Sequence, residues 1–224
     1  MKTVLAINGS PRKSGNTSLM LSEFVRGAEM GNSQIEVVKA DELHIKNCTG
    51  CLRCNIIKKC SVGGDDWADL SQKILGADVL VFASPIYFHH VTAPMKMIID
   101  RFRSFVHVQI TETGLIHTPW DQWDKDIVLI LPMGSSDDVD ANPVIELFQY
   151  MCNIFGSKNR LHVIKGTRLG VNKHITKTKE ELEVLYPKMK LPIKLAGVDA
   201  VKNVELLEEC FELGKSLSSF LPVQ

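Results

Sequence analysis

Apolar residues, many of them β-branched, concentrate in five short runs at 2–8, 35–39, 79–83, 127–133 and 161–165. Each has the length and bounding residues of a buried strand. Longer stretches between them repeat their apolar positions at helical spacing, near 16–30, 66–75, 93–105 and 143–155, with a last amphipathic segment near 202–220. Strand and helix therefore alternate, which predicts right-handed crossovers and a parallel sheet covered by helices on both faces. Five such strands suit the doubly wound α/β order 2-1-3-4-5, whose ligands bind where the strand order reverses. The apolar runs at 79–82 and 127–131 fall far short of the roughly 20 residues that a membrane helix needs.

Three stretches stand outside that minimal plan: a cysteine-rich loop at 40–66, an insertion at 104–125 carrying Phe105, Trp120 and Trp123, and an insertion at 167–200. Loops of this length are usually functional or interfacial. Within the third, Thr178 and Glu181 have capping-box spacing ahead of an apolar period that Pro187 ends, so a short helix is expected there. No internal repeat or low-complexity tract interrupts the chain, and the reading is one domain over 1–224.

The 26 basic residues balance 26 acidic ones, and 45% of the 224 residues are hydrophobic. This is ordinary globular usage that asks for neither nucleic acid nor membrane. The chain opens with a charge and a β-like run, without a signal-peptide pattern, so a cytoplasmic protein is expected.

The loop after the first strand, Asn8-Gly9-Ser10-Pro11-Arg12-Lys13-Ser14-Gly15-Asn16-Thr17, opens the first helix. Its backbone N–H groups and the helix N-terminus converge on a point suited to an anion. Ser10, Ser14, Asn16 and Thr17 add hydrogen-bonding side chains, Arg12 adds charge, and Gly9 and Gly15 allow tight turns. A phosphate monoester fits better than a nucleotide triphosphate, because Asn-Thr follows Gly15 where a Lys-Ser/Thr pair would be required, and no G-x-G-x-x-G occurs. An ordinary polar turn with an N-cap is the alternative.

The third strand ends in Ser84-Pro85-Ile86-Tyr87-Phe88-His89-His90, a rigid turn at the same sheet edge. Pro85, Ile86, Tyr87 and Phe88 can present an apolar face and backbone donors to a flat ring, although Tyr87 and Phe88 equally suit core positions. Met133 and Gly134, after the fourth strand, approach the same crevice. His89 and His90 read as solvated, Asp100-Arg101 as a solvated or salt-bridging helix end, and no residue is singled out as catalytic.

Cys48, Cys51, Cys54 and Cys60 gather four thiols in thirteen residues. The x2, x2 start resembles that of bacterial ferredoxins, and Cys60 is the natural fourth ligand of a 4Fe-4S cluster. Zinc, or a loop without metal, remains the alternative. Cys152 and Cys210 fall at helical spacing among apolar residues and read as core thiols.

Together the Gly-Ser-Pro-Arg-Lys-Ser-Gly-Asn-Thr run at 9–17, the four-cysteine loop, Asp65-Asp66, Ser84-Pro85-Ile86-Tyr87-Phe88 and Lys96 to Asp100-Arg101 resemble the iron–sulfur flavoproteins. These form a branch of the NADPH-dependent FMN reductase-like group with a flavodoxin-like fold. The resemblance covers about residues 1–103. It implies FMN held through residues of 10–17 and the loop at 85–88, a cluster on the four cysteines, and homodimers or homotetramers. The leading expectation is an FMN-dependent oxidoreductase passing electrons between the cluster, FMN and a small-molecule acceptor, with ferredoxin or NAD(P)H as donor. Alternatives are an NAD(P)H-dependent FMN or quinone reductase without a cluster, a non-catalytic electron carrier, and a biosynthetic dehydrogenase whose 104–125 insertion covers the flavin.

Overall fold

The computed structural model describes residues 1–219. In chain order, β1 (Thr3–Asn8), α1 (Asn16–Met30) and β2 (Gln34–Lys39) lead to α2 (Cys54–Ile57), α3 (Trp67–Gly76) and β3 (Val79–Ala83). Then come α4 (Ala93–Arg101), β4 (Val106–Thr111), β5 (Gly114–Pro119), β6 (Asp126–Pro132), α5 (Asn142–Phe155) and β7 (Arg160–Gly166). The chain closes with α6 (Lys179–Lys188) and α7 (Leu195–Ser218).

The main sheet is five-stranded in the order β2-β1-β3-β6-β7, with every pair parallel. Counted over that sheet alone, this is the expected 2-1-3-4-5. Alternation along the strands sorts side chains to two faces. Leu5, Ile7, Leu80, Phe82, Ile127 and Leu129 pack under α3, α4 and α5, while Val4, Ala6, Val79, Val81, Val128 and Ile130 pack under α1 and α7. Every residue of β3 and β6 is buried, as expected for central strands covered on both sides. Each Val, Leu or Ile so buried contributes about 1.5–3 kcal/mol. Cys152 and Cys210 sit in these two cores as read.

Four departures from the sequence reading have physical causes. The helix expected through 105 stops at Arg101 and tightens into a 3-10 turn over residues 102–105. Three-residue periodicity brings Phe102 and Phe105 to the same side, 5.2 Å apart, in an aromatic cluster with Trp67 and Trp123. Residues 106–119 form an antiparallel hairpin, β4 with β5. Its Glu112-Thr113 turn lacks the Asn-Gly type of signal, and its strands are only half-buried. Helix α7 begins at Leu195, seven residues before the expected 202, because Gly197, Asp199 and Lys202 interrupt the apolar period. The expected end at Phe220 lies outside the described residues. Helix α6 has the capping box of Thr178 and Glu181, but Pro187 lies inside its last turn and the helix runs on to Lys188. Among the described residues no helix is long and apolar enough to cross a membrane.

Candidate functional site

Three βα loops meet at the carboxyl edge of the sheet, and their own hydrogen bonds explain their shapes. In the first, the Ser10 N–H donates to Asn8 Oδ1 (2.9 Å), the Arg12 N–H to Ser10 Oγ (3.2 Å), and Ser18 Oγ to the Arg12 carbonyl (3.2 Å). The loop thus folds on itself ahead of α1. Gly15, the N-cap, supplies no side-chain acceptor to the first turn. The N–H groups of that turn lack intrahelical partners and point outward, and the helix dipole favours a negative charge there. Thr17, buried in that first turn, lines the cleft described below.

The Asn16 side chain has a different role from the expected one. Its Nδ2 donates to the carbonyls of Leu169 and Val171, both at 2.8 Å, and its Oδ1 accepts from the Ile175 N–H at 3.2 Å. Its amide therefore ties the first loop to the segment after β7.

The second loop is fastened to the first by Thr92, whose Oγ1 donates to the Gly9 carbonyl (2.7 Å) and whose N–H donates to Ser84 Oγ (3.1 Å). The Ile86 N–H goes to the Pro132 carbonyl, and Tyr87 and His90 exchange both backbone bonds. Two of the donors expected to face a ring are thereby committed within the protein. Phe88 and His89 form the two-residue turn, both in the left-handed region at φ 47° and 61°. Phe88 is fully exposed, and Tyr87 is nearly half exposed, so neither plugs the core.

The third loop approaches the segment after β7. The Leu169 N–H donates to the Met133 carbonyl (2.8 Å) and the Arg168 N–H to the Ser135 carbonyl (2.7 Å).

These loops enclose a cleft of about 270 Å³. Ser10, Arg12, Gly15, Asn16, Thr17, Pro85, Ile86, Tyr87, Met133 and Gly134, all singled out from the sequence, line it. Ser14 and Phe88 do not. Pro132, Leu169 and Gly170 line it too and were missed. The available signal was topological, since the last strand of such a sheet also delivers a loop to the crevice edge. No residue of 104–125 lines the cleft. His89 is exposed, 3.7 Å from Asp140, and burial holds the His90 imidazole below its ordinary pKa.

The cysteine loop rests on Arg101, which is buried and not solvated. Its Nη1 donates to Asp65 Oδ2 (2.5 Å) and the Lys46 carbonyl (2.7 Å), and its Nη2 to the Val62 carbonyl (3.1 Å). Both arms of the loop are held by one guanidinium. Arg103 braces the centre, donating to Cys54 Sγ (3.5 Å) and Asn55 Oδ1 (2.9 Å), while Asn55 pairs with both backbone groups of Val108 on β4. Cys48, Cys51, Cys54 and Cys60 line one small cavity of about 20 Å³. A hydrogen bond with Ser61 pulls the Cys51 thiol down to about 7, whereas burial pushes the Cys54 thiol up. Among the described residues no three His, Cys, Asp or Glu side chains are drawn together closely enough to hold a metal ion. The donor set matches a 4Fe-4S cluster in kind and number; its thiols share a cavity without converging on a point.

Comparison with known proteins gives relatives that agree with the sequence resemblance. An iron–sulfur flavoprotein of Archaeoglobus fulgidus is 39% identical over 107 residues, 48% of each chain. One of Methanocaldococcus jannaschii is 34% identical over 100 residues, 45% of this chain and 51% of that one. The matched region is thus about half the length of these curated relatives. Among solved structures, an FMN-dependent NADH-azoreductase from Bacillus anthracis in complex with FMN superposes with a TM-score of 0.64 at 14% identity, covering 98% of this chain and 100% of that one. That likeness speaks for the fold. The family described as NADPH-dependent FMN reductase matches residues 2–164, most of the chain, and the protein belongs to that family.

Proposed function

We propose that this protein is an FMN-dependent oxidoreductase that moves electrons from a donor to a small acceptor, with FMN held in the three-loop cleft. The observation that carries the reading is the convergence, around one cleft, of an uncapped helix N-terminus with Ser10, Arg12 and Thr17 and of the apolar turn at 85–87 with Met133 and Gly134. A phosphate and a flat ring need those two surfaces side by side.

When bound, FMN supplies one- and two-electron transfer at its ring. The chain does the rest. The N–H groups of Gly15, Asn16 and Thr17 hold the phosphate, the Thr17 hydroxyl adds a donor, and Arg12 offsets its charge. Ile86, Met133 and Leu169 exclude water from the ring side, and the bonds from Thr92 to Gly9 and from Asn16 to Leu169 fix the three loops relative to one another.

The same proposal assigns Cys48, Cys51, Cys54 and Cys60 as the residues that would hold a 4Fe-4S cluster, which supplies single-electron transfer when bound. Their number and spacing and the names of the relatives support this. The donor is then ferredoxin or NAD(P)H, the acceptor a small molecule, the active form a homodimer or homotetramer of this one domain, and the compartment the cytoplasm. A second reading makes the protein an NAD(P)H-dependent FMN or quinone reductase whose cysteine loop is structural. The family description and the unconverged thiols favour it.

Iron and acid-labile sulfide per flavin, measured on protein purified without oxygen, separate the two. About four of each per FMN supports the cluster. Flavin without iron, bleached by NADPH alone, moves the second reading to first place.

A further inference from the structure

We propose that Asp199 is a positioning residue for the flavin site, holding through Arg168 the adjoining Leu169 and Gly170 that line one side of the cleft. The inference rests on the flavin reading above and assigns a task to the 167–200 insertion, which no sequence motif explained.

The wall is stitched to the site on one side. Arg168 and Leu169 donate their N–H groups to Ser135 and Met133, and Leu169 and Val171 accept from the Asn16 side chain at the head of α1. Arg168 holds a left-handed backbone, φ 56°, which is strained for a residue with a Cβ and persists only where the surroundings fix it. Those surroundings lie on α6 and α7. The Arg168 Nε donates to Asp199 Oδ2 at 2.8 Å, and its Nη2 reaches the other oxygen of a carboxylate that is 1% exposed. The Tyr186 hydroxyl donates to Asp199 at 2.6 Å, and Lys202 stands 3.0 Å from it while donating to the Thr167 carbonyl. The Asp199 carboxylate on α7 thus fixes Arg168 directly and pairs with the lysine that holds Thr167, and the cleft-lining Leu169 and Gly170 follow next in the chain. A two-point guanidinium–carboxylate fork sets orientation as well as distance.

The molecule contains its own comparator. Asp126 is 4% exposed and likewise holds an arginine, Arg160, and His162, but at the amino end of β6, away from the cleft. Asp199→Asn, Tyr186→Phe and Asp126→Asn are prepared as apoproteins. Titration with FMN gives the dissociation constant, thermal melting gives stability, and the visible spectrum of the bound flavin reports its surroundings. Asp199→Asn is expected to raise the FMN dissociation constant about tenfold or more and to shift the flavin spectrum. Tyr186→Phe, which keeps the ion pair and supplies the test should Asp199→Asn not fold, is expected to act in the same direction by a few-fold. Asp126→Asn is expected to lower the melting temperature while leaving FMN affinity within about twofold, as a distant site should. Folded Asp199→Asn or Tyr186→Phe protein with unchanged affinity and spectrum overturns the proposal, as does an equal loss of affinity in Asp126→Asn. Wild-type protein that takes up no FMN overturns the flavin reading itself.

Discussion

The Arg101 guanidinium and the Asp65 carboxylate meet at 2.5 Å with neither side chain open to solvent. The pair joins the end of α4 to the far arm of the cysteine loop, and Arg101 also holds the near arm through the Lys46 carbonyl. Burial raises the Asp65 carboxyl, and the Arg101 hydrogen bond overrides it, leaving the group below the usual carboxylate range. Removing one partner leaves a buried charge unpaired, so Arg101→Met or Asp65→Asn should cost about 3–5 kcal/mol. Urea unfolding reads the loss, and limited proteolysis should cut first between 46 and 65. An unchanged midpoint and cleavage pattern would show that the loop is held by other means.

Helices α1 and α7 touch backbone to backbone. A Cβ on Gly27 would stand 1.9 Å from the Phe211 carbonyl oxygen, and one on Gly214 would stand 2.0 Å from that of Phe24. Gly27→Ala and Gly214→Ala should each destabilise by about 1–3 kcal/mol or more, since two helices must move to admit the methyl group. Thermal melting of each variant checks this, and stabilisation through better helix propensity is the contrary result.

His174 is fully buried beside Tyr186, with its Nδ1 unpartnered, and burial pushes its imidazole down to about 4. Between that value and its ordinary 6.5, the unfolded chain binds a proton that the folded chain does not. Its contribution to stability is therefore fully present above about pH 6.5 and falls as the pH drops to about 4, by a total of about 3 kcal/mol. Urea midpoints for wild type and His174→Phe at pH 7.5 and 4.5 isolate the effect: the acid-induced loss should be smaller in the variant.

The turn at Phe88-His89 places two residues with side chains where glycine and asparagine are preferred. His89→Gly should be neutral or stabilising by about 0.5–1 kcal/mol, the relief of one left-handed residue. Destabilisation would mean that the 3.7 Å approach of His89 to Asp140 outweighs the strain.

The sheet was legible because each of its strands is a compact apolar run and its order follows from alternation with helices. The hairpin at 106–119 was not, because half-buried strands with exposed Ile110, Leu115 and Ile116 carry no clean period and the turn has no diagnostic pair. In the candidate site, the donor-rich loop announced itself through residue types. The wall at Leu169 and Gly170 did not, because its role depends on Asn16, 153 residues away from Leu169, and on a carboxylate of a different helix. Arg101 read as a helix end for the same reason: its partners Lys46, Val62 and Asp65 lie 55, 39 and 36 residues upstream. Trp123 and Phe105 suggested a cover for a ring, yet both are buried in the aromatic cluster under α4 and α5.

The most direct test of the central claim is titration of the apoprotein with FMN and with riboflavin, each against wild type and Thr17→Val. The uncapped α1 terminus with Thr17 and Arg12 requires one FMN per chain, riboflavin weaker by about 100-fold, and a loss of about tenfold on Thr17→Val for FMN alone. Equal affinity for FMN and riboflavin, or binding of neither, would contradict a phosphate held at that helix and with it the placement of the flavin.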